Sequence, residues 1–250
     1  MILFANDIRW LSYQAPFKLA DAWHYLYLFC DNDFMHLGQA TTELAPLVKA
    51  ALIDRAIRRQ DHILHLHAGA VVKNGTLVLL PARSGSGKTS LTARLVATGC
   101  EYFTDEVVLL ERGTDRIRPV PVSLCVKESG IDLLKPHFPG LPELPTHDRQ
   151  DRMAVRYLPP PVRSLPEENR SEPPALLVFP GYVEGAPTAL RPLSAAEAFG
   201  RLLDECVAIP KPLSLTDAAA LVSTVEKLRC FALTGGDLDA AAATILELCK

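Results

Sequence analysis

The stretch Ala82-Arg83-Ser84-Gly85-Ser86-Gly87-Lys88-Thr89 decides the fold of this 250-residue chain. An apolar run, Thr76-Leu77-Val78-Leu79-Leu80, comes just before it, and the segment 90–97 after it has apolar residues at helical spacing. The sequence therefore predicts a strand, a glycine-rich turn and a helix. This is the context that a phosphate-binding loop requires.

Each residue type in this glycine-rich loop (Ala82–Thr89) has a physical reason. Gly85 and Gly87 let the backbone turn so that successive N–H groups can point at phosphate oxygens. Lys88 brings a positive charge to the phosphates, and the Thr89 hydroxyl can bind Mg²⁺. The alternative is a glycine-rich turn without a ligand. The predicted nucleotide-binding residues are Arg83, Ser84, Gly85, Ser86, Gly87, Lys88, Thr89 and Ser90.

Composition and charge narrow the functional classes. The net charge is −3, and no run of Lys or Arg forms a basic stripe, so we expect no nucleic-acid partner. The six cysteines are scattered without a CxxC pair, which is typical of reduced thiols. Asp7 and Arg9 interrupt the apolar N-terminus, unlike a signal peptide, and no apolar stretch is long enough to span a bilayer. We therefore expect a cytoplasmic protein that does not bind a membrane.

The order of patterns predicts one α/β domain with a small β-rich N-terminal lobe. Residues 1–60 are predicted to form that lobe, with aromatic strands around Ile8–Leu11 and Trp23–Phe29, followed by an amphipathic helix from Thr41 to about Gln60. Residues 61–250 are predicted to form the nucleotide-binding domain. Within it, Ile63–Val72 is predicted to be one strand that ends in a hairpin turn at Asn74-Gly75.

Two further segments carry candidate chemistry. Asp105-Glu106 lies between two predicted strands, where a Mg²⁺–nucleotide complex would balance the two carboxylates; the alternative is a solvated turn. The region 119–192 is dense in proline and is predicted to form loops. Within it, the arginine-rich segment Thr146–Tyr157 is predicted either to close over a γ-phosphate or second substrate, or to be a solvated loop.

These landmarks resemble, in their order, the catalytic domain of HPr kinase/phosphorylase and its related kinases. The residues that carry the resemblance are His67, the Asn74-Gly75 turn, the glycine-rich loop, Gly99 and Asp105-Glu106; it covers about residues 60 to 250. The resemblance implies a core like that of phosphoenolpyruvate carboxykinase, with a mixed sheet. The acidic pair of the family is usually Asp-Asp, and Leu124–Gly130 lacks the family's Arg-Gly-Leu-Gly signature, so the resemblance is not to a true HPr kinase.

The resemblance implies an ATP- and Mg²⁺-dependent kinase that phosphorylates a Ser or Thr hydroxyl of a peptide or small protein, such as a lasso peptide. The alternatives are a kinase of a free small molecule such as an amino acid, a regulatory module that binds ATP without turnover, and a P-loop ATPase that drives a conformational cycle. A homo-oligomer is a further expectation, because HPr kinases form hexamers. The residues expected to act in catalysis are Asp105 and His67, by resemblance, together with Lys88 of the loop, and those expected at the metal are Thr89, Glu106 and Asp105. Lys127, Arg152 and Arg156 are candidate cations for the substrate or transition state.

Overall fold

The computed structural model describes residues 25–30, 33–39, 44–149, 151–167, 170–204, 206–208 and 213–250. Within these ranges single helices separate groups of one to four strands. The helices are α1 (Leu44–Arg59), α2 (Lys88–Ala97), α3 (Glu128–Leu134), α4 (Ala195–Asp204), α5 (Leu215–Lys227) and α6 (Leu238–Leu248). The strands are β1 (Tyr25–Cys30), β2 (Asp33–Gln39), β3 (His62–Leu66), β4 (Ala68–Lys73), β5 (Thr76–Pro81), β6 (Glu101–Thr104), β7 (Val108–Glu111), β8 (Leu124–Lys127), β9 (Thr146–Asp148), β10 (Ala154–Leu158), β11 (Pro174–Tyr182), β12 (Ala189–Pro192), β13 (Cys206–Ala208) and β14 (Arg229–Gly235).

A six-stranded sheet in the order β12-β14-β11-β5-β4-β6 organises the core. Strand β11 runs parallel to β5 and β14, and the other neighbouring pairs are antiparallel. The sheet is therefore mixed, and the predicted mixed α/β architecture is confirmed. The strand that leads into the glycine-rich loop is central in this sheet, so the loop starts from a rigid position.

The strands of this sheet are almost continuously hydrophobic because both faces of the sheet are buried. Along β5, Leu77 and Leu79 contribute to one core cluster, whereas Val78 and Leu80 contribute to the other. One face packs against α2 and α6, and the opposite face packs against α4 and α5. Burial of β5 on both faces fixes where the chain leaves the sheet to enter the loop.

The Asn74-Gly75 turn connects β4 and β5 as predicted. Lys73 pairs with Thr76 across the turn, and both central residues have a positive φ, 51° for Asn74 and 75° for Gly75. Positive φ at both central positions is the mark of the tight hairpin turn that Asn-Gly favours. This hairpin brings His67, which directly precedes β4, to the same end of the sheet as the glycine-rich loop.

The prediction of one strand over Ile63–Val72 is wrong, because the chain changes sheets at His67. Strand β3 belongs to a separate three-stranded sheet, β13-β3-β7, whereas β4 belongs to the six-stranded sheet. The chain makes the same change between β6 and β7, at residues 105–107. The residue pattern cannot reveal this break, because it indicates only that the backbone is extended and not which strand it pairs with. The consequence is that His67 and the acidic pair lie side by side where two strands cross between sheets.

The proline-rich region is more regular than predicted. Residues 124–158 form α3 and a three-stranded antiparallel sheet, β8-β10-β9, and β11 and β12 follow. The prolines stand mainly between these elements, as at Pro136 and Pro139 after α3 and at Pro159 after β10. Proline is found at the ends of short strands as well as in loops. A high proline content alone therefore did not distinguish a series of short strands from a long loop.

The N-terminal part agrees with the sequence where the structure describes it. Strand β1 lies within the aromatic segment and pairs with β2, while Ile8–Leu11 lies outside the described residues. Helix α1 confirms the predicted amphipathic helix, and its Ile53 and Ile57 pack against Val107 and Leu109 of the domain core. The boundary at residue 60 stays a prediction, and α1 contacts the region beyond it.

Two findings bear on the cell compartment expected from the sequence. Cys100, Cys125, Cys230 and Cys249, the cysteines whose side chains are described, are buried free thiols. Among the described residues, no helix combines the length and the hydrophobicity that crossing a bilayer demands.

The close approach of β4 to α2 predicts a specific sensitivity at Gly69. A Cβ atom at this position would lie 2.3 Å from Thr92 Oγ1, and that buried hydroxyl donates a hydrogen bond to the Lys88 carbonyl at 2.9 Å. We expect Gly69→Ala to lower the free energy of unfolding by about 1–3 kcal/mol in urea denaturation, the usual cost of overpacking. The cost should shrink in a Thr92→Ala background, because the clashing atom is removed.

Gly200→Ala is the matched control, because nothing lies within 4 Å of the added methyl group and Gly200 is inside α4. It should leave stability unchanged or raise it. Equal losses for Gly69→Ala in the wild-type and Thr92→Ala backgrounds would contradict this account of the β4–α2 contact.

Candidate functional site

The glycine-rich loop wraps around the N-terminus of α2. Gly85 and Gly87 have φ angles of 91° and 86°, which L-residues with a side chain rarely adopt, and Gly87 is the residue that caps the helix. Both the N–H and the hydroxyl of Ser86 donate to the Arg83 carbonyl, at 3.2 and 2.7 Å, which closes the turn. The first N–H groups of a helix have no partner within it, so the turn presents backbone donors beside a positive helix end.

Lys88 and Asp105 form a buried ion pair directly beneath this loop. Lys88 Nζ lies 2.9 Å from Asp105 Oδ1 and also donates to the Asp105 carbonyl oxygen. The two residues are only 6% and 0% exposed. Asp105 Oδ2 is buried too and has no hydrogen-bond partner among the described residues. The pair is therefore charge-balanced but leaves one carboxylate oxygen available to another group.

Glu106, the second acidic residue, is held by two side chains from different elements. Lys49 Nζ, on α1, lies 2.5 Å from Glu106 Oε1. His67 Nδ1 lies 3.1 Å from the Glu106 carbonyl oxygen and 3.8 Å from Oε2. Because a carbonyl only accepts, Nδ1 of His67 carries the proton in this contact. The Thr104 hydroxyl accepts from the N–H groups of Glu106 and Val107, at 3.2 and 3.3 Å, and so fixes the turn itself.

These contacts set the charges in the site. Burial alone would raise the pKa of Glu106, but the Lys49 ammonium, with Lys88 and His67, outweighs burial and lowers this pKa. Burial, then the nearby Lys88 charge, lowers the pKa of His67 despite the opposing effect of Glu106. At neutral pH, Glu106 is consequently an anion. His67 is a neutral imidazole whose Nε2 is an acceptor.

A cleft of about 340 Å³ opens along the glycine-rich loop. This volume lies within the range of small-molecule sites. Its lining includes His67, Glu106 and Arg149, and also the N-terminal part of α6 with the preceding Asp237. The other lining residues outside the loop come from α2, β8, α3, β11 and the end of β14 with the residue after it: Ser90, Leu91, Cys125, Val126, Lys127, Ser129, Gly130, Leu133, Pro180, Gly181, Tyr182, Leu233, Gly235 and Gly236.

The residues of the site fit a nucleotide with Mg²⁺ better than a metal centre on its own. The region around Gly85 is open, since an added Cβ would meet nothing within 4 Å. No group of three His, Cys, Asp or Glu residues that could hold a metal ion occurs among the residues described. Mg²⁺ at nucleotide sites usually needs only one or two carboxylates, because phosphates and water supply the other ligands. Glu106 lines the cleft together with Thr89, and Asp105 Oδ2 lacks a partner.

The structure brings together most of the residues singled out in the sequence. Residues 83–90, His67, Glu106 and Lys127 all line the cleft, and Asp105 lies under the loop against Lys88. Lys127 Nζ donates to Ser84 Oγ at 2.8 Å. Their functional roles stay predictions, but the loop, the histidine and the acidic pair do share one site.

Arg152 and Arg156 are not brought to the cleft. Arg156 donates to the Pro142 and Leu144 carbonyl oxygens and thereby anchors the strand β10 to the preceding turn. Arg152 is exposed in the turn between β9 and β10, with a φ of 61°. The arginine-rich segment is therefore neither a closing loop nor a wholly solvated one, but a β-hairpin.

Two cations of the site were missed in the sequence. Arg149, from the same hairpin, lines the cleft and approaches Cys125 Sγ at 3.9 Å. Its position in the segment was a signal, but the choice among its arginines depends on the hairpin register. Lys49 gave no signal, because a lysine on an amphipathic helix is ordinarily solvent-exposed.

Comparison with known proteins adds little to this site. No protein-family model matches the chain, and no curated protein matches it. Among solved structures, the chain is similar to the Hpr(Ser) kinase/phosphatase from Coxiella burnetii, at 13% sequence identity and a TM-score of 0.33. That alignment covers 74% of this chain and 96% of the other. Such a remote likeness says nothing of activity, so function has to be argued from the residues.

The lowered pKa of His67 predicts a pH dependence of stability. Because the folded pKa is below the ordinary value of about 6.5, the unfolded state binds more protons in the window between the two values. The free energy of unfolding therefore rises with pH through this window, up to about pH 6.5. As the pH falls through the same window, protonation of His67 favours the unfolded state and the protein loses stability. We expect a shallower rise for His67→Gln in urea denaturation from pH 5 to 8.

His65, whose pKa is also lowered, mainly by burial, leaves part of the rise in both proteins. Above about pH 6.5 the wild-type and His67→Gln curves should run parallel, which serves as the internal control. Identical slopes below this pH would show that the environment of His67 does not disfavour its charged form.

Proposed function

We propose that the protein is an ATP- and Mg²⁺-dependent kinase that transfers the γ-phosphoryl group to a hydroxyl group, a Ser or Thr of a peptide or small protein. The observation that carries the proposal is the Lys88–Asp105 pair beneath the glycine-rich loop. It combines a phosphate-binding cation, a carboxylate with a free buried oxygen and a cleft in one place. Phosphoryl transfer requires mainly positioning and charge neutralisation, and these are what such residues supply.

The loop and Lys88 hold the phosphates in this proposal. The N–H groups around Gly85 and Gly87 and at the N-terminus of α2 donate hydrogen bonds to the phosphate oxygens. The Lys88 ammonium is held by Asp105, and in this proposal binding of the nucleotide draws it toward the β- and γ-phosphates. Asp105 is then released from its partner and exposed to the cleft.

Asp105 is the proposed base. The acceptor oxygen forms a bond to the γ-phosphorus, the bond from that phosphorus to the bridging oxygen of ADP breaks, and the hydroxyl proton moves to Asp105. Neutral His67 donates from Nδ1 to the Glu106 backbone and so maintains the turn that presents both carboxylates. Arg149, rather than Arg152 or Arg156, is the proposed cation on the acceptor side, because it alone of the three lines the cleft.

Thr89 and Glu106 are the proposed magnesium ligands, with Asp105 nearby. Bound Mg²⁺ would neutralise charge that develops on the phosphate oxygens during transfer. Of the two residues, Thr89 lies in the first turn of α2 and Glu106 at the crossing between sheets. Their common position along the cleft is what favours them as ligands.

Two substitutions separate nucleotide binding from transfer. Lys88→Met should weaken ATP binding strongly, since it removes the phosphate-binding charge. Asp105→Asn keeps an oxygen that can accept from Lys88, so it should still bind ATP, while transfer falls about 10²- to 10⁴-fold with the loss of the base. The measurement is calorimetric ATP binding, with transfer of radiolabelled phosphate to a Ser/Thr peptide library.

Asp132→Asn provides the matched control, because it makes the same chemical change on the exposed side of α3. It should change neither binding nor transfer. Tight ATP binding by the wild type without transfer or hydrolysis, unaltered by Asp105→Asn, would instead identify a regulatory nucleotide-binding module. Labelling of a free amino acid but no peptide would overturn the proposed acceptor class.

A further inference from the structure

Helix α1 places a lysine on the acidic pair of the site. Lys49 Nζ lies 2.5 Å from Glu106 Oε1, and the two side chains are only 11% and 21% exposed. The same ammonium lies 5.1 Å from the centre of the Tyr157 ring, on β10. Lys49 is therefore enclosed between a carboxylate and an aromatic ring, a setting that is specific to a cation.

Packing holds the lysine in this place. Ile53, Ala56 and Ile57 of α1 contact the small cluster formed by Val107, Leu109 and Val120. Val107 directly follows Glu106 in the chain, so the hydrophobic contact and the ion pair fix the same turn. Movement of α1 and release of Glu106 are consequently coupled.

Each carboxylate of the pair is thus neutralised by its own lysine, Asp105 by Lys88 and Glu106 by Lys49. A bound nucleotide would place phosphate groups near Lys88 but not near Lys49. Lys88 belongs to the glycine-rich loop, beside the phosphates, whereas Lys49 comes from a separate helix and is not among the cleft-lining residues. A divalent cation at Glu106 would occupy the same carboxylate oxygens and would repel the ammonium, since like charges a few ångströms apart in a partly buried site interact strongly.

We propose that Lys49 competes with Mg²⁺ for the Glu106 carboxylate, so that α1 holds the site in a metal-free, charge-balanced state until the magnesium–nucleotide complex displaces the lysine. This inference rests on the nucleotide site proposed above. In this inference Lys49, which lies outside the glycine-rich loop, sets how strongly the site prefers the magnesium–nucleotide complex to the free nucleotide. Lys49 is in this sense a positioning residue that acts through Glu106.

The test compares Lys49→Met with wild type in nucleotide binding, with no transfer required. Methionine keeps an unbranched apolar side chain of similar length but has no charge, so it removes both the ion pair with Glu106 and the cation–π contact with Tyr157. The fluorescent probe methylanthraniloyl-ATP is titrated by anisotropy, once with excess Mg²⁺ and once with EDTA. With Mg²⁺ the variant should bind about tenfold more tightly than wild type, because no ammonium has to be displaced. With EDTA it should bind no more tightly.

Two other variants control for charge and for the helix. Lys49→Arg keeps a cation beside Glu106 and should retain most of the wild-type preference. Arg58→Met removes an ion pair from the same helix, where Arg58 lies 2.7 Å from Asp54 and its side chain is 74% exposed, and should change neither affinity. If Lys49→Met does not fold, as judged by its thermal melt, Lys49→Gln replaces it.

The outcomes are distinct. Unchanged binding of the magnesium complex by Lys49→Met would overturn the competition. Weaker binding would overturn it as well and would indicate that Lys49 orients Glu106 for the metal. A wild type that binds the probe but transfers no phosphate would refute the kinase proposal. The effect of Lys49→Met on probe binding could still be interpreted in that case. A wild type that binds no probe under either condition would overturn both proposals.

Discussion

The buried contact between Lys88 and Asp105 is the constraint on which the rest of the site depends. Two charges that are this far removed from water are tolerated only if they compensate each other or a ligand. Their pairing requires that the first turn of α2 and the turn after β6 lie in register, which the central sheet provides through β5, β4 and β6. The two charges thus balance each other, and in the proposed function a phosphate has to compete with Asp105 for the same ammonium.

The crossing of two strands between sheets gives the site its second carboxylate. His67 and Glu106 lie at equivalent breaks, one between β3 and β4 and the other between β6 and β7, and a hydrogen bond joins them. At such a break the backbone is free of ladder hydrogen bonds, so side chains and turn contacts must hold it. Thr104, His67 and Lys49 together meet this need, which explains why candidate functional residues and structural ones coincide here.

Much of this arrangement could be predicted from the sequence, because its signals are local. The glycine-rich loop, the Asn-Gly turn and the amphipathic helix α1 each depend on a few neighbouring residues, and all three lie where the patterns placed them. The acidic pair was recognised for the same reason, since two carboxylates between apolar strands need a cation.

The remainder depended on contacts between distant parts of the chain. The break at His67 is invisible in a continuous apolar segment, because only the pairing partners reveal a change of sheet. Arg149 was missed in favour of Arg152 and Arg156, as the hairpin register decides which arginine reaches the cleft. Lys49 was missed because its partner is 57 residues away, on an element that the sequence assigned to another lobe.

A crystal structure with Mg²⁺ and a non-hydrolysable ATP analogue tests the central claim most directly. The account predicts the phosphates within the glycine-rich loop, Lys88 Nζ moved from Asp105 to the β- and γ-phosphate oxygens, and Asp105 exposed to the cleft. An analogue bound elsewhere, or a cleft that stays empty with the Lys88–Asp105 pair intact at saturating analogue, would contradict it.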